Sequence, residues 1–309
     1  MSSQLLDYKV YDVEKALRPK EVVPMLTTNF GLVDGINIYV IGVGGTGSHL
    51  VGALSSVMAN SNSIAGGRIK TLTLIDGDLV SPHNVGRQLF SRKEINRYKA
   101  EALALRYVQN YGLPIRYINR MFSGFGSGSD LIGIGTFNNP TFVISCVDKA
   151  TCRKQIFEQL TSFNFGPRQS IYWMDFGNGH REGQIGIGNT ADPKLIKEGY
   201  NKPVVEFIPY LPCLDLFSRT IDPESDKDEV APGGCITQVM AQLQSENINR
   251  IMAAIGIEMI CQFLEGRLSN HYVYINIKPT EFKMMAQPIN DLHLEAVVDE
   301  LSEKKKGKK

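Results

Sequence analysis

After an apolar run that reads as a buried strand, TLTLI, the sequence sets Asp76, Asn84, Arg87 and Gln88 within thirteen residues, and Lys99 follows Arg87 by twelve. A carboxylate at the end of such a strand can accept hydrogen bonds from ribose hydroxyls. A guanidinium offers a fixed fork of donors matched to phosphate, and a lysine adds a point charge. The two amides can bond ribose and phosphate alike. Two cations converging on one nucleotide point to a triphosphate; the alternative is that Arg87 and Lys99 are surface charges. Upstream, GVGGTG fits G-x-G-x-x-G with Gly42, Gly44 and Gly47, and Gly45 adds a further permissive position. Such glycines let backbone N–H groups approach a phosphate at the positive end of a helix. Downstream, Asp148 closes another apolar run, TFVISCVD. A carboxylate there can hold Mg²⁺ against phosphate oxygens, or can cap the helix that follows.

These residues need a scaffold, and the hydrophobic pattern supplies one. NIYVIGVGGTGSHLVGAL reads as strand, glycine turn and helix, the helix running to about Met58. A polar connector, ANSNSIAGGR, leads to a strand over Thr71 to Ile75. KAEALALRYVQNYG has apolar residues at helical spacing and is stopped by Gly112 and Pro114. IRYINR is a third strand, and the glycine-rich SGFGSGSDLIGIGT is a loop, since no helix of phosphate-binding spacing follows it. TFVISCVD and the helical TCRKQIFEQL complete a strand–helix alternation that argues for a parallel sheet covered on both faces. Beyond about residue 170 the rhythm changes to short strands, IYWMDFGNG and GQIGIGN, then an acidic stretch read as mobile, SRTIDPESDKDEVAPGG. A long helix over about Thr237 to Leu268 and the strand pair HYVYINI and EFKMMAQ end the fold. The expected class is α/β, a Rossmann-like, mostly parallel sheet with helices on both faces, extended by a C-terminal antiparallel part.

Composition removes several rival classes. With 33 basic and 32 acidic residues in 309, the net charge of +1 gives no field to gather nucleic acid or an anionic membrane. No apolar run reaches the length of a membrane span, and the acids of MSSQLLDYKVYDVEKAL do not suit a signal peptide. The five cysteines, Cys146, Cys152, Cys213, Cys235 and Cys261, never stand as C-x-x-C, so a disulfide framework or zinc site is not expected and a reducing cytoplasm is. Cys146 and Cys152 read as core, and His49 and His180 as structural or solvent-facing. Cys235 follows Pro232, Gly233 and Gly234 at the start of the late helix. A helix N-terminus lowers a thiol's pKa, so Cys235 reads either as a thioester-forming nucleophile or as a small buried residue docking the helix.

As a set, G-x-G-G-x-G, an acid, N-x-x-R-Q, a lysine one helix on and an aspartate after the fourth strand resemble the ThiF/MoeB superfamily, the ubiquitin-activating-enzyme-like adenylating enzymes. The match spans about Ile36 to Arg153. NVGRQLF, SCVD, YWMDFGNG, LDLF and the cysteine opening the late helix look like the ThiF-family proteins of bacterial PRTRC systems. The resemblance implies an adenylation domain over 31–290, with a nucleotide-binding half to about 165 and a partner-binding half from 166. An N-terminal extension, 1–30, and a tail, 291–309, flank it. It implies ATP and Mg²⁺ as cofactors and, as partner, a small ubiquitin-like or carrier protein whose C-terminal carboxylate is adenylated, on a homodimer. Asp76 and Gln88 would hold the nucleoside, Asn84, Arg87 and Lys99 the triphosphate, and Asp148 the Mg²⁺. Arg18 could reach a neighbouring subunit's phosphates. MoeB-like members carry paired C-x-x-C zinc ligands; here Leu216 stands where Cys213 would have its mate, so no zinc is expected.

Two rival readings remain open. The glycine turn with Asp76 alone would serve an NAD(P)-dependent oxidoreductase, and a degenerate member would bind nucleotide as a non-catalytic scaffold.

Overall fold

The structure is a computed structural model; it describes residues 35–124, 141–162, 171–179, 181–189, 246–278 and 280–288, with residues 192, 194, 195, 197 and 298. The strands are β1 (Ile36–Ile41), β2 (Ile69–Ile75), β3 (Ile115–Ile118), β4 (Thr141–Ser145), β5 (Ile171–Asn178), β6 (Glu182–Gly188), β7 (Asn270–Lys278) and β8 (Glu281–Pro288). The helices are α1 (Gly45–Ala59), α2 (Ile64–Gly67), α3 (Lys99–Tyr111), α4 (Ala150–Ser162) and α5 (Glu246–Glu265). All eight strands form one sheet in the order β3-β2-β1-β4-β5-β6-β7-β8. The first five pair in parallel, and β5 to β8 pair antiparallel.

Strand alternation sends apolar side chains to both faces. Ile36, Ile38, Val40, Leu72, Leu74, Phe142, Ile144, Met174 and Phe176 face the larger core, which α1, α3 and α5 cover. Ile41, Ile75, Val143, Ile171 and Trp173 face a smaller core closed by Ile156 and Leu160 of α4. Burying both faces explains why β1 and β4 carry continuous apolar runs. The late helix α5 docks through Phe263, whose ring lies 5.0 Å from that of Phe142 and 4.7 Å from that of Tyr172. Each such buried side chain stabilises the fold by about 1.5–3 kcal/mol.

The segments differ from the sequence reading in detail. The connector 59–68 is not all loop: α2 forms there, with Ser63 Oγ accepting from the Gly66 N–H as its N-cap. β2 starts at Ile69, because Ile69 can pair with Ile36 at the start of β1. The described part of the late helix begins at Glu246. The glycine-rich loop beyond Gly124, the acidic stretch, Arg18, His180, Cys213 and Cys235 lie outside the described residues. Among the described residues, no helix is long and apolar enough to cross a membrane.

The topology fixes one crevice. From β1 the chain steps outward to β2 and β3, then crosses to the other side of β1 to build β4. Loops therefore diverge between the carboxyl ends of β1 and β4, where open α/β sheets take their ligands. The glycine turn leaves β1 and the Asp148 loop leaves β4.

Candidate active site

Gly42 has φ +81°, a conformation L side chains rarely adopt, and a Cβ there would meet the Cys146 carbonyl oxygen at 2.9 Å. At Gly47 a Cβ would lie 2.1 Å from the Gly42 oxygen, so α1 can start this close to β1 only with glycine there. Gly44 is the N-cap of α1 and no side chain caps it; no acid stands in the first turn. The helix thus presents an uncapped positive end to the crevice. Behind it, Thr46 Oγ1 donates to Asn249 Oδ1 at 3.0 Å, and Asn178 Nδ2 donates to the same oxygen at 2.5 Å. Asn249 also packs on Gly45, where a Cβ would come within 2.8 Å of its amide nitrogen. The turn is pinned to both α5 and the end of β5.

Asp76 is the residue after β2, and its carboxylate is buried against the glycine turn. Oδ2 accepts from the Val43 N–H at 2.8 Å, and Oδ1 accepts from the Asp78 N–H at 2.9 Å. Burial pushes its carboxyl above the usual range, and those two backbone bonds pull the other way. Lys99, the first residue of α3, is buried and donates from Nζ to Asp78 Oδ2 at 2.8 Å. Asn84 closes a short 3₁₀ turn, Pro82–Asn84: its Oδ1 accepts from the Ser81 N–H at 2.8 Å and from the Ser81 hydroxyl at 3.1 Å. Arg87 is half-buried, and its guanidinium makes no hydrogen bond or ion pair among the described residues. Gln88 extends over the glycine turn. Its Nε2 would be 3.6 Å from a Cβ on Gly44, and its Oε1 is buried with no hydrogen-bond partner.

Glu94 and Arg106 hold this loop in place. Arg106 bonds Glu94 through both Nε and Nη2, at 3.0 and 2.5 Å, and donates from Nη1 to the Leu89 carbonyl at 2.8 Å. Glu94 Oε2 also accepts from the Ser91 N–H and hydroxyl, at 2.7 and 2.8 Å. Though burial opposes it, bonding to Arg106 and Ser91 holds the Glu94 carboxyl below its usual range. On the other side Ser48 Oγ of α1 accepts from the Leu89 N–H at 3.0 Å.

Across the crevice, β4 ends at Ser145, and Asp148 stands exposed three residues later. The helix α4 begins at Ala150, so Asp148 is not its cap. Its carboxylate makes no hydrogen bond among the described residues. Cys146 sits beneath the glycine turn with its thiol pushed well up by burial, then by Asp175, which makes it inert as a nucleophile. Burial, then Arg250, pushes the His49 imidazole below its usual pKa, and its Nε2 is buried without a partner among the described residues.

The structure therefore gathers Gly42, Gly44, Gly45, Gly47, Asp76, Gln88, Lys99 and the Asp148 loop around one crevice. No hydrogen bond or ion pair among the described residues ties the Arg87 guanidinium to the others, although its chain neighbour Gln88 is in place. Cys235 falls outside the described residues. The sequence reading missed Asp78, Glu94 and Arg106, which i, i+2 and helical spacing place within reach of sites it did name. It also missed Asn178 and Asn249, whose contacts span 71 and 203 residues and leave no local signal.

The residues fit a nucleotide and Mg²⁺. An orphaned buried acceptor at Gln88 Oε1 beside an uncapped helix end needs a donor, which an adenine amine or a ribose hydroxyl supplies. An unengaged exposed carboxylate suits Mg²⁺, which takes one or two carboxylates together with phosphate oxygens. Among the described residues, no three His, Cys, Asp or Glu side chains cluster.

A sequence model of the ThiF family matches residues 33–291. No curated protein matches the chain. Among solved structures, it is similar to PaaA, with 17% identity over 82% of this chain and a TM-score of 0.48. It is similar also to E. coli MccB with ATP (15% identity over 83% of this chain, TM-score 0.47). E. coli MccB with MccA gives 16% identity over 83%, with a TM-score of 0.48. The chain spans 64% of the length of each.

Proposed function

The chain belongs to the ThiF family, and on that footing we propose that it is an ATP- and Mg²⁺-dependent adenylating enzyme acting on the C-terminal carboxylate of a small ubiquitin-like or carrier protein. In this reaction a carboxylate oxygen attacks the α-phosphorus, the bond from that phosphorus to the bridging oxygen breaks, and pyrophosphate leaves. The observation that carries the reading is the occurrence in one loop of two groups with no partner among the described residues, the Arg87 guanidinium and the buried Gln88 Oε1.

Gln88 and Asp76 hold the nucleoside, the amide by its free oxygen and the carboxylate by lone pairs left over from the backbone. The uncapped end of α1, Arg87 and Lys99 neutralise the phosphates. Asn84 orders the loop with its oxygen and keeps its N–H₂ for the ligand. Asp148 holds the Mg²⁺, which would supply charge neutralisation on the departing pyrophosphate. Little covalent work falls to the protein; orientation and preorganised charge do most of it. The half from 166 to 290 would receive the partner protein, and Cys235 would take the acyl group if a thioester follows. PRTRC-type ubiquitin-like proteins are the partner class proposed, with a second copy of the chain forming a homodimer.

Exchange of labelled pyrophosphate into ATP tests this directly, with Mg²⁺ and the ubiquitin-like protein of a PRTRC system added. Partner-dependent exchange is the expected result. A folded protein that shows none, yet binds NAD with indifference to Mg²⁺, would overturn the reading.

A further inference from the structure

Beneath the Asp148 loop lies a buried polar layer that the nucleotide contacts do not use. Arg153, on the first turn of α4, is 5% exposed, and Asp175 of β5 is 1% exposed. Arg153 Nε lies 3.2 Å from Asp175 Oδ2, an ion-pair contact outside hydrogen-bond alignment. Asp175 Oδ1 accepts from the hydroxyl of Ser145, its register partner on β4. The Ser145 oxygen in turn accepts from the indole N–H of Trp173 at 2.8 Å. Trp173 is the only tryptophan of the chain and is packed against Phe157 of α4.

The other side of the guanidinium faces the loop itself. Arg153 Nη2 donates to the Val147 carbonyl and, at 3.1 Å, to the Phe176 carbonyl; Nη1 donates to the Asp148 carbonyl at 3.3 Å. One cation thus binds the peptide carbonyls on both sides of Asp148 and anchors them to β5. Such a cation is costly to bury, and a hydrophobic layer would serve packing as well. One of its donors goes to the carbonyl of Asp148, the loop residue whose carboxylate makes no hydrogen bond among the described residues.

We propose that Arg153, oriented by Asp175 and Ser145, is the positioning residue that sets the Asp148 carboxylate for its divalent cation. The inference rests on the assignment of Asp148 to Mg²⁺ in the proposed function. Arg153→Lys keeps the charge, but a single ammonium cannot span Asp175 and three carbonyls as the planar fork does. Removing such an outer-shell partner typically costs 10–100-fold in metal affinity.

The test uses the full chain loaded with α,β-methylene-ATP, titrated with Mn²⁺ and followed by the electron paramagnetic resonance signal of the free ion. The expected result is Mn²⁺ binding at least about 10-fold weaker in Arg153→Lys than in wild type. Metal-free nucleotide affinity should be unchanged, and the Trp173 emission maximum should stay that of a buried indole. Should Arg153→Lys fail to fold, Ser145→Ala removes the hydroxyl that orients Asp175 and receives the Trp173 N–H, and a loss of Mn²⁺ affinity without a loss of nucleotide affinity is again expected. Mn²⁺ binding as tight as wild type in a folded variant overturns the positioning role alone. Absence of Mn²⁺ binding to nucleotide-loaded wild type overturns the metal assignment beneath it.

Discussion

Three of the four glycines of the turn can be separated by what an added methyl would meet, and that separates a fold requirement from a ligand requirement. In Gly47→Ala the new carbon would lie 2.1 Å from the Gly42 oxygen, where ordinary contact begins at 3.4 Å. The obstacle is backbone, so β1 and α1 must part by more than an ångström. Overpacking of this kind costs about 1–3 kcal/mol, and a rigid obstacle places the cost at the upper end. At about 2–4 °C per kcal/mol, the melting temperature should fall by about 5–10 °C. Gly42→Ala combines a 2.9 Å approach to the Cys146 oxygen with φ +81°, which alone costs about 1–2 kcal/mol. Gly44→Ala is different. Its nearest neighbour would be Gln88 Nε2 at 3.6 Å, an ordinary contact, and stability should stay within about 1 kcal/mol of wild type. Yet the methyl stands between the helix end and the Gln88 amide, in the space assigned to phosphate. Urea melts and calorimetric titration with Mg-ATP, run on all three variants, give the comparison. Gly44→Ala should keep its stability and bind ATP at least about 10-fold more weakly, a loss of about 1.4 kcal/mol. If Gly44→Ala binds ATP as wild type does, the turn is only a packing device and the phosphate cradle is refuted. If Gly47→Ala melts with wild type, the steric argument fails.

Three further outcomes follow from the same geometry. Arg87→Ala should abolish pyrophosphate exchange while leaving stability within about 0.5 kcal/mol, since the guanidinium makes no hydrogen bond or ion pair among the described residues; unchanged exchange would remove its role at the phosphates. Asp76→Asn offers one acceptor oxygen where two backbone N–H groups, of Val43 and Asp78, each need one, so urea melts should show a loss of about 1–3 kcal/mol. Glu94→Gln should cost about 1–2 kcal/mol at neutral pH. The folded carboxyl is held below its ordinary value, so its contribution is full above about pH 4.3 and vanishes as pH falls through the lower folded value. Melts of wild type and Glu94→Gln should therefore begin to draw together as pH falls below about 4.3; a constant gap would show that Glu94 acts through packing instead.

The fold was largely legible because its signals are local. Period-two and unbroken apolar runs mark β1, β4 and β5, glycine marks the turn after β1, and Gly112 in the left-handed conformation ends α3 where the spacing said it should. Errors fall where tertiary contact decides: Ile69 is a strand residue because Ile36 lies beside it, and α2 forms because Ser63 caps it and α1 and α5 close over it. The site was legible as a list of residues but not as a division of labour. Nothing in NVGRQLF says that the Asn84 oxygen is spent on Ser81, or that Lys99 will find Asp78, because those depend on how the loop closes.

That division is itself evidence about function. Buried polar groups in folded proteins are overwhelmingly paired, and each exception asks for a cause. Around this crevice the pairing is close to complete on the protein side: Asp76 binds the turn to β2, Thr46, Asn178 and Asn249 bind it to α5 and β5, and Glu94 with Arg106 binds the loop from below. Among the described residues, the groups left over on the two loops are Gln88 Oε1, the Arg87 guanidinium and the Asp148 carboxylate, with His49 Nε2 also unpaired on α1. The first three come from two loops separated by the β1–β4 switch, and they are an acceptor, a cation and an anion. A packing accident would leave one group unpaired in one place. An acceptor, a cation and an anion on the two loops that border this crevice suit one molecule with a donor-bearing head, a polyanionic chain and an associated cation, which is the metal-bound nucleoside triphosphate proposed above.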